Sequence, residues 1–180
     1  IYYNNHFSRG GLIMKKLLLS IFVVLIMFSC GEKMSVKEVK ELESKVLAEG
    51  AKPTKEEVIQ LVDAYILFAE QNPDDAQSPD YLFRALDIAV GVNAEGPDKA
   101  IKIADVLIEK YPDFEMTPMA MYLKGFVYEN IVGDLHNAEM TYRQFIEKYP
   151  ESPMVEDVKA TIENLGLSPE ELIRKFEEAN

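Results

Sequence analysis

The sequence predicts an all-α protein built from repeated pairs of helices, and three observations support this. The pentapeptide Ile-Glu-Lys-Tyr-Pro occurs at residues 108–112 and again 38 positions later, at residues 146–150. A pentapeptide that recurs at the end of an amphipathic run is typical of a repeated structural unit. Ser-Pro or Thr-Pro, a signal for the start of a helix, occurs four times. No stretch alternates apolar and polar residues over a useful length, so no sheet is expected.

Start and stop signals place eight helices along the chain. The Ser-Pro and Thr-Pro pairs begin four of them, because the hydroxyl caps free amides and proline lacks only an amide hydrogen that would be unbonded there. Thr54 and Glu57 form a capping box at the start of another helix. The expected helices span residues 36–48, 55–72, 79–92, 97–111, 118–131, 135–149, 153–165 and 169–178.

The last of these helices begins at Pro169 and is strongly amphipathic. Leu172, Ile173 and Phe176 lie on one side, and charged residues occupy the rest of its surface. We expect a C-terminal capping helix that covers the open apolar face of the last repeat. The alternative is a helix that docks on a partner.

The hairpin that ends at Pro150 resembles the tetratricopeptide repeat, a helix-turn-helix unit of about 34 residues. The family has a glycine and a tyrosine on the first helix, a small residue and aromatics on the second, and a closing proline. A weaker copy ends at Pro112 and a degenerate one at Pro73. The resemblance implies a right-handed tetratricopeptide-like α-solenoid of about three helical hairpins over residues 37–180. The positions that carry it are Ala100, Tyr111, Pro112, Gly125, Tyr128, Ala138, Phe145, Tyr149 and Pro150.

Two departures from the family pattern affect the alignment. Gly125 and Ala138 are one residue further apart than is usual in the family, so we expect an insertion in the turn between the two helices. In the hairpin that ends at Pro112, a shift of 38 places Asp87 and Val90 where glycine and tyrosine would fall. The tyrosines of the two pentapeptides are expected to cover the join to the next repeat.

In the tetratricopeptide family the first helices line a concave groove that holds peptides or partner helices. Aromatic rings beside an asparagine and an arginine suit an extended peptide, because rings supply contact area and polar groups bind the backbone or an acidic terminus. The alternative is core packing, which is the commoner role of aromatics at helical spacing. Mapped from Gly125 and then shifted by 38, the groove residues are Tyr81, Arg84, Ile88, Val92, Met119, Tyr122, Phe126, Glu129 and Asn130.

The N-terminal part has the layout of a secretory signal. Residues 14–29 carry two lysines, an apolar run from 17 to 28, and a small residue before Cys30. Ser29-Cys30 resembles the lipobox of bacterial lipoproteins, which implies cleavage before Cys30 and its acylation. The run is shorter than the roughly 20 residues that span a bilayer. The alternatives are an uncut anchor and a buried helix. Residues 1–13 are interpreted as upstream sequence read into the gene model, and residues 30–36 as a tether.

Signal and repeats together are similar to the small outer-membrane-assembly and Tol-Pal-associated repeat lipoproteins of Gram-negative-type envelopes. That resemblance implies an adaptor that is lipid-anchored in the cell envelope. Gly31 after the cysteine favours the outer membrane, with the domain facing the periplasm. The expected partner is an envelope protein or peptide, with the membrane reached through the lipid.

Composition argues against several functions. The net charge is −12, and such a surface repels phosphate backbones, so no nucleic-acid partner is expected. His136 is the only histidine beyond the signal, and the sequence has no phosphate-binding glycine loop and no nucleophile elbow. We therefore expect no catalysis, no cofactor and no metal. The alternative to a scaffold is a ligand- or glycan-handling surface lipoprotein, although sugar stacking favours tryptophan and the chain has none.

Overall fold

The computed structural model describes residues 33–92 and 96–178, and this part of the chain is helical with no strand. All eight predicted helices are confirmed, with ends within two residues of those expected. None of the described helices is long and apolar enough to cross a membrane. The helices are α1 Val36–Val46, α2 Lys55–Gln71, α3 Ser78–Val92, α4 Pro97–Lys110, α5 Thr117–Phe126 with a π-helical continuation Val127–Val132, α6 Leu135–Lys148, α7 Val155–Asn164 and α8 Pro169–Glu178.

From α1 to α7, each helix packs on the next one along the chain, and α3 also contacts α5. This gives three hairpins, α1–α2, α3–α4 and α5–α6, followed by α7 and α8. One core cluster extends from Met34 and α1 to α5 and its π-helical continuation, and a second lies among α5, α6 and α7. The architecture is an α-solenoid of helical hairpins, as the sequence predicted.

Three linkers with one backbone geometry join the successive hairpins. We define linker 1 as residues 72–77, linker 2 as residues 111–116 and linker 3 as residues 149–154. Their first residues, Asn72, Tyr111 and Tyr149, end α2, α4 and α6 with φ of −132°, −128° and −127° and ψ of 57°, 53° and 56°. Each of these residues accepts a hydrogen bond at its carbonyl from the amide three positions later, over 3.0–3.1 Å. The two pentapeptide tyrosines therefore occupy the same structural position.

The hydroxyls before the prolines act differently from the prediction. Ser78 and Thr117 are buried within the first turns of α3 and α5, and they do not cap those helices. They donate back to the carbonyls of Asn72 and Tyr111, over 2.5 and 2.6 Å, and so close linkers 1 and 2. Ser168 does cap its helix, since its Oγ accepts the amide of Glu171 over 3.2 Å. The predicted start of α7 was two residues early.

The capping box of α2 is confirmed. Thr54 Oγ1 accepts the amide of Glu57 over 3.2 Å, and the Glu57 carboxylate accepts the amide of Thr54 over 2.9 Å. Ser35 and Glu38 form a second such box at the start of α1. Both helices therefore begin with their first amides bonded by side chains.

The extra residue between Gly125 and Ala138 lies in the helix and not in the turn, which corrects the prediction. The chain leaves α5 in π-helical form over Val127–Val132, and only two residues then precede α6. A π-helical segment holds one more residue than the same rise of α-helix and is frequent at functional sites. Gly133 ends it with φ 76°, a left-handed conformation that suits glycine.

The described chain begins next to linker 1. Met34, within the predicted tether, is buried, and its amide donates to Gln71 Oε1 over 2.6 Å. Its carbonyl accepts from Asn72 Nδ2 over 3.3 Å. The interpretations of residues 1–13, of residues 14–29 and of Cys30 fall outside the described residues.

Candidate partner-binding face

Part of the surface of α3 and α5 packs on neither core cluster. On α3 this part consists of Asp80, Arg84 and Asp87, which are exposed. On α5 and its π-helical continuation it consists of the half-buried Met119 and Phe126 and the exposed Asn130. Because α3 and α5 are in contact, these residues lie on adjoining helices. We call this set the first-helix face.

The linkers correct the register of the residues predicted on α3. The hydrogen-bonded pattern of linker 1 recurs in linker 2 after 39 residues, from Asn72 to Tyr111, whereas the prediction used 38. The α3 residues that correspond to Met119, Tyr122 and Phe126 are therefore Asp80, Phe83 and Asp87. The predicted Tyr81, Arg84, Ile88 and Val92 correspond instead to Ala120, Leu123, Val127 and Ile131.

Tyr81 belongs to the core. It is only 3% exposed, and its ring lies 5.3 Å from that of Tyr65 and 5.0 Å from that of Phe68. Ile88 is half-buried and packs against the same core. Tyr81 and Ile88 therefore pack in the core and do not line a groove. This is the alternative that the sequence analysis left open for these positions. Val92 is exposed at the end of α3.

Arg84 is exposed but fixed to the first hairpin. Its Nη1 donates to Glu43 Oε1 over 2.7 Å, and the hydroxyl of Tyr65 donates to the same oxygen over 2.9 Å. Its guanidinium carbon also lies 5.9 Å from the centre of the Tyr81 ring. These contacts join α1, α2 and α3 and hold the arginine in place on the first-helix face.

Gly125 allows α6 to pack directly on α5. A Cβ at this position would lie 2.4 Å from Cε1 of Tyr142, whose ring is fully buried. The Tyr142 hydroxyl donates to Glu129 Oε2 over 2.9 Å, and its ring lies 5.7 Å from that of Tyr122. Of the predicted groove residues, Tyr122 and Glu129 are thus half-buried and engaged with α6.

The π-helical segment contributes Asn130 to the first-helix face. Asn130 is exposed, and its side-chain Nδ2 donates to the carbonyl of Phe126 over 3.3 Å. This bond ties the amide group to the helix backbone, one turn after the half-buried Phe126. The one signal for this feature in the sequence was the long spacing from Gly125 to Ala138.

The remaining repeat positions have structural surroundings. Ala100, Ala138 and Phe145 are fully or almost fully buried on the second helices. Tyr128 is half-buried, with Lys124 Nζ 5.9 Å from its ring centre. Pro112 and Pro150 are exposed in linkers 2 and 3. Tyr111 donates from its hydroxyl to the carbonyl of Pro73 over 3.0 Å, so it binds the preceding linker and not the next one.

The ionisable groups of this region act as hydrogen-bond donors and acceptors. Burial, and then the bond to Glu129, raises the pKa of Tyr142. Burial, and then the bond to Glu43, raises the pKa of Tyr65 in the same way. Both hydroxyls therefore stay protonated and donate. Within the described residues no group of three His, Cys, Asp or Glu could hold a metal ion, and His136 lies exposed in the first turn of α6. The arrangement offers contact surface rather than a reactive group.

A cleft of about 540 Å³ lies between linkers 2 and 3 and was not predicted. Its lining includes Met116, Met119, Met154 and Tyr149. The buried hydroxyl of Tyr149 finds no hydrogen-bond partner within the described residues. Met119 lines this cleft and also belongs to the first-helix face, so the two surfaces adjoin.

The stacked hairpins and the open first-helix face define a helical-repeat protein of the kind that binds other proteins. Comparison with known families agrees, since the tetratricopeptide repeat model matches residues 119–152, which run from α5 through α6 into linker 3. The chain is thus tetratricopeptide-like, and this repeat generally serves as a non-catalytic scaffold for protein interaction. Searches of curated proteins and of solved structures gave no significant match.

Proposed function

We propose that this protein is a non-catalytic, lipid-anchored scaffold that holds a protein or peptide partner at the cell envelope. The observation that carries the proposal is the first-helix face, a surface that the solenoid leaves open on the repeat that matches the tetratricopeptide family. In this account the partner lies across α3 and α5.

The residues of the first-helix face indicate the chemistry of the partner. The α5 half offers Met119 and Phe126 as apolar contacts, with the exposed Asn130 one turn after Phe126. The α3 half offers the carboxylates of Asp80 and Asp87, while the charge of Arg84 is already paired with Glu43. Complementary charge selects partners and speeds their encounter. We infer a segment with an apolar anchor and nearby basic residues.

The anchoring part of the proposal rests on the sequence at Cys30. Acylation there would hold the domain at a membrane, because each buried methylene of an acyl chain contributes about 0.8 kcal/mol. An outer-membrane location facing the periplasm follows from the lipoprotein resemblance. Replacing Cys30→Ser should release the protein into the soluble fraction and abolish labelling by radioactive palmitate. Unchanged membrane association and labelling would remove the lipid from the account.

The scaffold function is tested by capture from solubilised envelopes with matched variants. Phe126→Ala shortens an apolar side chain on the first-helix face, and Met140→Ala does so at an exposed position of α6. We expect Phe126→Ala to lose the captured partner and Met140→Ala to retain it, with similar melting temperatures for both. Identical partner lists for the two variants and the wild type would exclude the first-helix face as the binding surface.

A further inference from the structure

We propose that helix α8 of one chain docks into a groove between α2 and α4 of a second copy. The groove has a volume of about 260 Å³ and is lined mainly by α2 and α4, with Leu82 of α3 and Tyr111 of linker 2. None of its lining residues belongs to the first-helix face. Its apolar lining consists of Ile66, Ala69, Leu82, Ile103, Val106 and Tyr111.

The charged residues that line the groove are three lysines, Lys99, Lys102 and Lys110, and one carboxylate, Glu70, so its net charge is positive in an otherwise acidic protein. Lys102, Val106 and Lys110 follow one another at intervals of four along α4, so they form a stripe on one side of the helix. All three line the groove. Neither Lys102 nor Lys110 has a hydrogen-bond or ion-pair partner among the described residues. The groove thus presents an apolar centre between two available ammonium groups.

Helix α8 carries the opposite pattern. Glu170, Ile173 and Glu177 lie at intervals of three and four, which places them on one stripe of the helix. Ile173 is 59% exposed. α8 therefore presents an exposed aliphatic side chain between two carboxylates, with the exposed Arg174 beside it on the same stripe.

The two stripes match in length. At 1.5 Å per residue, Lys102 and Lys110 are separated by about 12 Å along α4, and Glu170 and Glu177 by about 10.5 Å along α8. Docking would bring each carboxylate near an ammonium group and Ile173 near Val106. The groove is smaller than the range of about 300–1,000 Å³ typical of small-molecule sites. It suits the side-chain anchors of a helix laid in a groove.

The position of α8 in its own chain favours a second copy as the source. Apart from its N-terminal cap at Ser168, the described polar contacts of α8 with the rest of the chain come from Lys175, which donates to Asn164 Oδ1 over 2.7 Å and to the carbonyl of Glu163 over 3.3 Å. Both acceptors lie at the end of α7, whereas the groove is formed by α2, α3 and α4. The stripe that contains Ile173 is therefore free to meet another molecule.

Sedimentation velocity of the full chain with charge-reversed variants tests this proposal. The wild type should associate as its concentration rises, and less so at high salt, because exposed ion pairs are screened. The variant K102E/K110E should associate about tenfold more weakly, and so should E170K/E177K, since each places like charges opposite one another. An equimolar mixture of the two variants should regain association, because the reversed charges again face opposite ones.

A matched control changes the same charge elsewhere. K37E/K52E reverses two exposed lysines outside the groove and should associate like the wild type. A wild type that stays monomeric at all concentrations would overturn the proposal, as would a mixture that shows no recovery. Binding of an unrelated acidic amphipathic peptide to the groove of a monomeric wild type would assign this surface to another partner and overturn it as well.

Discussion

Linkers 2 and 3 share a backbone conformation and a Tyr-Pro sequence, yet they differ in the side-chain hydrogen bonds that they make. In linker 2 the hydroxyl of Tyr111 donates to the carbonyl of Pro73 in linker 1, over 3.0 Å. Asn72 makes the corresponding bond one step earlier, to the carbonyl of Met34. At the third step the Tyr149 hydroxyl is buried without a partner in the described part of the chain.

Linker 3 also lacks the counterpart of a second hydrogen bond, the one that the hydroxyl of Thr117 makes to linker 2. Thr117 Oγ1 donates to the carbonyl of Tyr111 in linker 2, but the corresponding residue of linker 3 is Val155, which has no hydroxyl. The cleft of about 540 Å³ lies where linker 3 meets linker 2. The difference teaches that the repeated residues determine the backbone of each linker, while the bonds between linkers depend on residues that vary from step to step.

The largest expected effect comes from Gly125→Ala. The new Cβ would lie 2.4 Å from the buried Tyr142 ring, so α5 and α6 must separate or the ring must shift. Overpacking of this kind costs roughly 1–3 kcal/mol and occasionally more, and we expect the upper end, about 3 kcal/mol, in urea unfolding. Gly91→Ala on α3 is the control, because no atom lies within 4 Å of its added Cβ. Equal stability of the two variants would contradict the close contact of α5 with α6.

The next effect concerns the hydroxyl of the linkers. Thr117→Val removes the bond to the Tyr111 carbonyl, which keeps the amide of Phe114 as its other donor, and this should cost about 1 kcal/mol. Val155→Thr introduces a hydroxyl at the corresponding place in linker 3 and should raise the free energy of unfolding by up to about 1 kcal/mol. Thermal melting of both variants is the measurement. A loss of stability in Val155→Thr as large as that in Thr117→Val would show that the two linkers are not equivalent.

The paired tyrosines should respond to loss of the hydroxyl in opposite directions. Tyr111→Phe removes a hydrogen bond and should cost about 1 kcal/mol. Tyr149→Phe removes a buried hydroxyl without a partner and should leave stability unchanged or raise it by about 1 kcal/mol. Equal losses in chemical denaturation would mean that Tyr149 has a bonding partner in solution.

The smallest expected effect is a pH dependence of local stability at the capping boxes of the first hairpin, which the linkers do not share. The bond from Lys45, and then that from Thr54, lower the pKa of Glu57, and bonds from Ser35 lower the pKa of Glu38, from an ordinary value of 4.5. A lowered folded-state pKa contributes stability above pH 4.5 that is lost as pH falls through the folded value. Hydrogen-exchange protection factors at the starts of α1 and α2 should therefore fall below pH 4.5, and Glu57→Gln should flatten this response at α2. Glu56→Gln is the control. If the pH dependence of Glu57→Gln at α2 equalled that of the wild type and of this control, the capping role of Glu57 would be contradicted.

Much of the fold followed from local signals in the sequence. Pro97, the Thr54 capping box and the repeated Tyr-Pro pairs fix helix ends through bonds within a few residues, and these are the features that sequence patterns report well. Two errors concerned register. The extra residue in the third hairpin was assigned to the turn, although the π-helical segment takes it up. The shift of 38 was carried unchanged from the second helices to α3, although linkers 1 and 2 begin 39 residues apart.

The candidate site was predicted less completely, because it depends on packing between distant residues. Phe126, Asn130 and Arg84 lie on the first-helix face, but the stacking of Tyr81 on Tyr65 depends on how α2 and α3 meet. The Tyr149 hydroxyl, which has no partner among the described residues, depends in the same way on the separation of two linkers, which no single stretch of sequence encodes.

The central claim is that stacked hairpins leave the first-helix face open and that this face binds another protein. Site-specific photo-crosslinking in the native envelope tests it most directly, with the crosslinking amino acid placed at Asp87 or Phe126 on that face and at Met140 or Gln144 on α6. The account predicts a discrete crosslinked product from the first two positions and none from the other two. Products from Met140 or Gln144 alone, or equal yields from all four positions, would contradict it.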